Sequence, residues 1–122
     1  MRSFGELEAT IMDVLWRREE PATVREVLKT ISNERELAYT TIMTVMENLH
    51  RKGFLSRELD GRAFRYEPTQ GREEYAANLM REAMQEGLDP TLTFAHFVAH
   101  MSAEETDAMR KALRRRSRRA SA

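Results

Sequence analysis

The stretch Tyr39-Thr-Thr-Ile-Met-Thr-Val-Met-Glu-Asn-Leu-His-Arg-Lys-Gly53 decides the fold. Its spacing predicts a helix from about Thr40, with Ile42, Val45, Met46 and Leu49 on one apolar stripe. Thr40, Thr44, Glu47, Asn48 and Arg51 fall on the opposite side, with Thr41 at its edge. A solvated helix face usually carries Glu, Lys and Gln, because Thr and Asn are weaker helix formers. Short hydroxyl and amide side chains are instead the groups that reach base edges and phosphates in a major groove. Arg51 and Lys52 close the helix with positive charge, and Gly53 is placed to end it. Taken alone, the stretch fits a DNA-reading helix or a core helix with an indifferent outer face.

The flanking sequence decides between these. Upstream, Ser3-Phe-Gly-Glu6 has the form of a capping box that opens a first helix reaching about Arg17. Leu7, Ile11, Val14 and Leu15 make its stripe, and Trp16 is expected in the core beside it. Pro21 breaks the chain at Glu19–Ala22. Thr23-Val-Arg-Glu26 is a second capping box, opening a helix with Val24, Val27, Leu28 and Ile31 inward. A polar connection, Ser32–Glu36, leads into the quoted stretch. Downstream the period changes to alternation. Phe54–Asp60 and Arg62–Glu67 flank the turn dipeptide Asp60-Gly61, and Pro68 stops the second strand. Three helices followed by a basic hairpin, with Arg62 at its tip and Arg57 and Arg65 on its strands, make a winged helix-turn-helix. The fold class is mainly α with one small β-hairpin. Thr40, Thr41, Thr44, Asn48, Arg51, Lys52, Arg62 and Arg65 are the candidate DNA-binding residues.

From Gly71 the pattern is helical again. Tyr75, Leu79, Met80 and Met84 recur on a charged helix that Gly87 ends, and Asp89-Pro90 suits the cap and first turn of another. That helix carries Phe94, Phe97, Val98 and Met101. Ser102-Ala-Glu-Glu105 caps a last helix with Met109 and Leu113 on one side, ending in Arg114–Arg119, which is expected to fray as a solvated tail. Residues 71–122 hold too little chain for a core of their own. Their stripes are expected to pair with a second copy, giving a homodimer whose interface uses Tyr75, Leu79, Met80, Met84, Phe94, Phe97, Val98, Met101, Met109 and Leu113. Residues 1–70 would then be the DNA-binding domain and 71–122 the dimerisation domain.

Lys and Arg number 20, as do Asp and Glu, so any field that attracts DNA must be local rather than a property of the whole chain. The absence of cysteine excludes disulfides, thiolate metal sites and cysteine nucleophiles. No apolar run reaches the length of a membrane span, and the expected location is cytoplasmic. His96 and His100, at i and i+4, could ligate a metal in a metal- or ligand-responsive regulator, with Glu104 or Glu105 completing the shell. Two partly exposed histidines on an interface helix are the plainer reading, and no cofactor is expected. No carboxylate pair in an apolar setting, no Ser-His-Asp set and no phosphate-binding glycine loop point to an enzyme. His50, on the flank of the third helix, is read as a phosphate contact or a solvated residue.

Glu8–Trp16, Thr23–Val27, Ala38–Val45, Lys52–Leu55 and Gly61–Pro68 together resemble the penicillinase repressors of the BlaI/MecI type over nearly all of the first 68 residues. The resemblance implies a dimeric winged-helix repressor on an inverted-repeat operator. Tyr39, Thr40, Thr41 and Thr44 would lie in the major groove, and Arg62 on the wing. It also implies release by proteolysis in the C-terminal helices, triggered by a membrane sensor. Cleaved members carry an Asn-Phe bond where this chain has His96-Phe97, and copper-responsive relatives carry cysteines that this chain lacks.

Overall fold

The computed structural model describes residues 4–32 and 37–121, in the order α1 (Glu6–Arg17), α2 (Val24–Ile31), α3 (Tyr39–Arg51), β1 (Leu55–Asp60), β2 (Ala63–Pro68), α4 (Arg72–Gln85), α5 (Pro90–Ala99) and α6 (Ala103–Ser121). The chain divides into two compact units, Met1–Met80 and Arg81–Ala122. The division falls inside α4.

In the first unit, α1 starts two residues later than Ser3 suggests. Its N-cap is Gly5, whose N–H donates to Glu8 Oε1 at 3.0 Å, while Ser3 lies outside the described residues. The second capping box forms as expected. The Thr23 N–H donates to Glu26 Oε1 at 2.9 Å, and the Glu26 N–H donates to Thr23 Oγ1 at 3.1 Å. Most of the connection Ser32–Glu36 lies outside the described residues.

Helix α3 ends in a Schellman motif. The Phe54 N–H donates to the Leu49 carbonyl at 2.9 Å and the Gly53 N–H to the His50 carbonyl at 3.0 Å, with Gly53 at φ +91°. The turn sends the chain straight into the hairpin. There β1 and β2 pair antiparallel, with Asp60 opposite Ala63, so Gly61 and Arg62 form a two-residue loop. Only Gly61 of the two has positive φ, at +67°, as a turn with glycine in the first central position requires. A third strand-like segment joins this sheet. Ala22 bridges Tyr66 through paired hydrogen bonds of 2.9 and 2.8 Å, where the sequence shows only a break at Pro21.

The core lies between the three helices and the base of the wing. Ile11, Met12 and Leu15 from α1, Val24, Val27 and Ile31 from α2, and Ile42, Met46 and Leu49 from α3 meet Ala22, Leu55 and Tyr66. Each large apolar side chain so buried contributes about 1.5–3 kcal/mol. Val45 of the expected α3 stripe and Leu7 and Val14 of α1 pack at its margin, while Met12, which the α1 stripe omits, is central.

An aromatic group closes one side of the unit. Trp16, expected in the core, is half-buried there at the core's margin, and its Nε1 donates to the Gln70 carbonyl at 2.9 Å. Tyr75 is 8% exposed, stacks on Phe4 with centroids 4.3 Å apart, and accepts the Phe4 N–H at 3.1 Å. The first turns of α4 are thereby fixed to the first unit, and the Tyr75 ring is spent inside its own chain, not offered to a partner.

In the second unit, Asp89 caps α5 by accepting from the N–H groups of Thr91 and Leu92, with Pro90 in the first turn. Ser102 and Glu105 form the reciprocal box that opens α6, at 2.9 and 3.0 Å. Helix α5 has no buried residue, although Leu92, Phe94, Phe97 and Val98 lie on it. Helix α6 continues through Arg114–Arg119 to Ser121 and does not fray where the arginines begin.

Candidate nucleic-acid interface

The two sides of α3 are sharply different. Ile42, Met46 and Leu49 are fully buried, whereas Thr40, Thr41, Thr44, Glu47 and Arg51 are exposed. Burial of one stripe against α1, α2 and β1 fixes the rotation of the helix, so the hydroxyl groups project outward as a consequence of the core. A helix about 10–12 Å across matches a B-DNA major groove about 12 Å wide. Asn48 sits at the margin, half-buried, and its Oδ1 accepts a hydrogen bond from Arg51 Nη2. Tyr39, at the first turn, is 41% exposed and lies under the Arg25 guanidinium, 5.5 Å from its ring centroid. Sequence reasoning missed Arg25, since nothing local to α2 indicates that it meets α3.

The basic residues fall into two classes. Arg51 and Arg62 are exposed, and among the described residues neither has an ion-pair partner. Lys52 and Arg65 are engaged within the chain. Lys52 Nζ lies 3.0 Å from Glu8 Oε2. The Gly5 N–H, and after it Lys52, holds the Glu8 carboxyl below its usual range. Arg65 pairs with Asp60 at 2.7 Å and Glu26 at 3.0 Å, locking β2 to the start of α2. The Thr23 N–H is the main reason that the Glu26 carboxyl is also held low. Arg57 is likewise occupied, 4.0 Å above the Phe64 ring and donating to Tyr66 Oη at 3.1 Å. The wing therefore offers Arg62 as its free cation, and Arg65 supports it. His50 Nδ1 bonds the Leu55 carbonyl at 2.9 Å, joining α3 to β1; it is a structural link and not a free phosphate contact.

His96 lies in α5 and His100 is its C-cap, both exposed, while Glu105 is engaged in the α6 cap. Among the described residues no group of three or more His, Cys, Asp or Glu could hold a metal ion. No helix in the described residues is long and apolar enough to cross a membrane.

A hydroxyl-bearing third helix beside a hairpin with a free arginine is the geometry of a winged-helix DNA reader. A sequence model described as penicillinase repressor matches residues 4–115. The chain belongs to that family. It is 45% identical over 112 residues to the transcriptional regulator BlaI of Mycobacterium tuberculosis, covering 89% of this chain and 81% of that one. Among solved structures, the DNA-binding domain of the repressor BlaI superposes with a TM-score of 0.53 at 28% identity, covering 62% of this chain and 94% of that one. MepR, a transcription regulator of the Staphylococcus aureus multidrug efflux pump MepA, matches at a TM-score of 0.51 and 18% identity over 97% of this chain and 81% of its own. That last similarity is one of fold. The penicillinase repressor match spans the wing, α4, α5 and the first part of α6 as well as the three helices, and so covers more than the helix-turn-helix alone.

Proposed function

We propose that this penicillinase repressor family member is a homodimeric transcriptional repressor. Each copy places α3 in the major groove of one half of an inverted-repeat operator and Arg62 of the wing against the neighbouring backbone or minor groove. The observation that carries this reading is the exposed Thr40, Thr41 and Thr44 face, held outward by the fully buried Ile42, Met46 and Leu49. Thr40, Thr41 and Thr44 are assigned to base edges and nearby phosphates. Tyr39, Arg51 and Arg62 are assigned to the backbone, and Asn48, Lys52 and Arg65 to holding those groups in place. The names of the BlaI relatives support transcriptional regulation as the process served.

Two copies are needed because two-fold operators present half-sites about 34–36 Å apart, or a multiple of that spacing. The half-exposed Phe94, Phe97, Val98 and Leu113, with Met80, supply apolar surface for pairing, joined by Leu79, Met84, Met101 and Met109 at its margins. Relief would come from proteolysis in these helices or from another signal that separates the pair. A sensor-linked protease is the partner for such a cut. The bond His96-Phe97 stands inside α5, so cutting there requires that helix to open first.

A gel shift on the protein's own promoter DNA tests the groove assignment. Arg51→Ala is expected to weaken binding to all sequences and to lower the salt slope by about one. Thr44→Ala is expected to change sequence preference instead. If neither variant differs from wild type, the assignment fails.

A further inference from the structure

The last turns of α6 carry a charge pattern that the proposed function does not use. Between Arg110 and Arg119 there are seven Arg or Lys and no acid. With about 3.6 residues per turn, Arg110, Lys111, Arg114, Arg115, Arg118 and Arg119 fill one half of the helix circumference. Met109 and Leu113 lie on the other half. Thr106 and Met109 are partly covered, whereas every residue from Arg110 to Arg119 is exposed. Among the described residues Lys111 pairs with Asp107 at 3.1 Å, and the other cations of the run have no ion-pair partner. Cations at a helix C-terminus are favoured by its dipole, but that effect fades within the last turn, so it does not account for Arg110 to Arg115. Like charges at i and i+4 repel, so the pattern disfavours the helix unless an anion neutralises it.

The spacing fits a polyanion of high linear charge density. Nine rises of about 1.5 Å place the six charges of that half on about 13–14 Å of axis, one per about 2–3 Å. Duplex DNA carries one phosphate charge per about 1.7 Å counting both strands, or about 3.4 Å along one strand, so the run lies within that range. A membrane surface fits less well, because the opposite half of the helix offers only Met109, Ala112 and Leu113, interrupted by Arg116, and no aromatic anchor. We propose that the cationic half of α6 is a second, sequence-independent contact with the phosphates of duplex DNA. The inference rests on the DNA-binding reading above. It makes the C-terminal helix a source of affinity and salt dependence as well as part of the pairing region.

The test uses the full chain with Arg110→Gln, Arg114→Gln, Arg115→Gln and Arg118→Gln combined, and the same four positions changed to Lys. Binding to the promoter fragment and to an unrelated fragment is measured across a salt series. The Gln variant is expected to lose about 0.9 of slope per phosphate contact, or about 1.8–3.6 per bound chain for two to four contacts. The loss should be equal on both fragments, with promoter preference retained, and the Lys variant should restore the slope. An unchanged slope with promoter preference intact overturns this inference and leaves the repressor reading standing. Failure of the Lys variant to restore the slope, or loss of binding to phosphatidylserine vesicles without a change of slope on DNA, also overturns it. A wild-type chain with no preference for the promoter overturns both readings.

Discussion

Leu49→Ala and Thr44→Ala perturb opposite sides of one helix and should behave in opposite ways. Leu49 is fully buried among the side chains that seat α3. Truncation to Ala removes the equivalent of about three methylene groups at about 0.8 kcal/mol each. The cavity left behind adds to this, giving about 3–4 kcal/mol in total. A unit of 80 residues has a stability of about 4–12 kcal/mol, so the substitution removes a large fraction of it. At about 4–8 °C per kcal/mol for a domain of this size, the melting temperature should fall by about 12–30 °C. Thr44 is exposed, and its side chain has no hydrogen-bond partner among the described residues. Its replacement should stay within about 0.5 kcal/mol of wild type, and Ala is the better helix former. Thr44→Ala should nevertheless weaken discrimination between the operator and its base-substituted versions, by about 1–3 kcal/mol where a specific contact is lost. Circular dichroism melts at 222 nm, run beside fluorescence anisotropy on operator DNA, read both quantities. A Leu49→Ala variant melting within a few degrees of wild type would falsify the packing argument. A Thr44→Ala variant that loses stability as steeply would show that its side chain belongs to the core.

Three further outcomes follow from particular contacts. Tyr75→Phe keeps the ring stacked on Phe4 but removes the acceptor of the Phe4 N–H, so it should cost about 1 kcal/mol in a urea melt; no change would mean that the hydroxyl is dispensable. Glu8, Asp13 and Glu26 all titrate below their ordinary values, held there chiefly by the Gly5 N–H, the Arg72 guanidinium and the Thr23 N–H respectively. Carboxylates depressed by folding add stability above their unfolded pKa and lose it as pH falls through the folded one. The urea midpoint should therefore hold at neutral pH and drop once pH goes below the ordinary carboxylate range, less steeply for Glu26→Gln; an identical pH profile would remove Glu26 from the account. Phe97→Asp puts a charge on the half-exposed apolar face of α5 and should convert a sedimenting dimer to monomer, while a variant that still sediments as a pair would place the interface elsewhere.

Much of this architecture is legible in the sequence because its signals are local. The boxes Thr23/Glu26 and Ser102/Glu105, the Asp89 cap, the Gly53 stop and the Gly61 turn each depend on residues a few positions apart, and each forms. The α3 stripe also needs only helical period, and it places Thr40, Thr41 and Thr44 outward without any tertiary knowledge. What escapes sequence reading is set by partners far away in the chain. Tyr75 looks like one more member of an amphipathic stripe until Phe4, 71 residues earlier, is found stacked on it. Arg65 looks like a free wing cation until Glu26, 39 residues away, claims it. Lys52 is similarly claimed by Glu8, and Ala22 by Tyr66. Helical period alone therefore shows which side of α3 faces outward, but not that Lys52 and Arg65 are paired within the chain. The Arg114–Arg119 run looks like a loose tail by composition, and its helical course follows from continuing the α6 period through it.

Site-directed photocrosslinking tests the central claim most directly. A photoreactive side chain placed in turn at Thr44, at Arg62 and at Arg17 on α1 leaves the core intact, since all three positions are exposed. With promoter DNA, the Thr44 and Arg62 probes should crosslink to bases or backbone within each half-site, and the Arg17 probe should not. Crosslinks from Arg17 with none from Thr44 would contradict the account, because they would put the hydroxyl face of α3 away from the duplex.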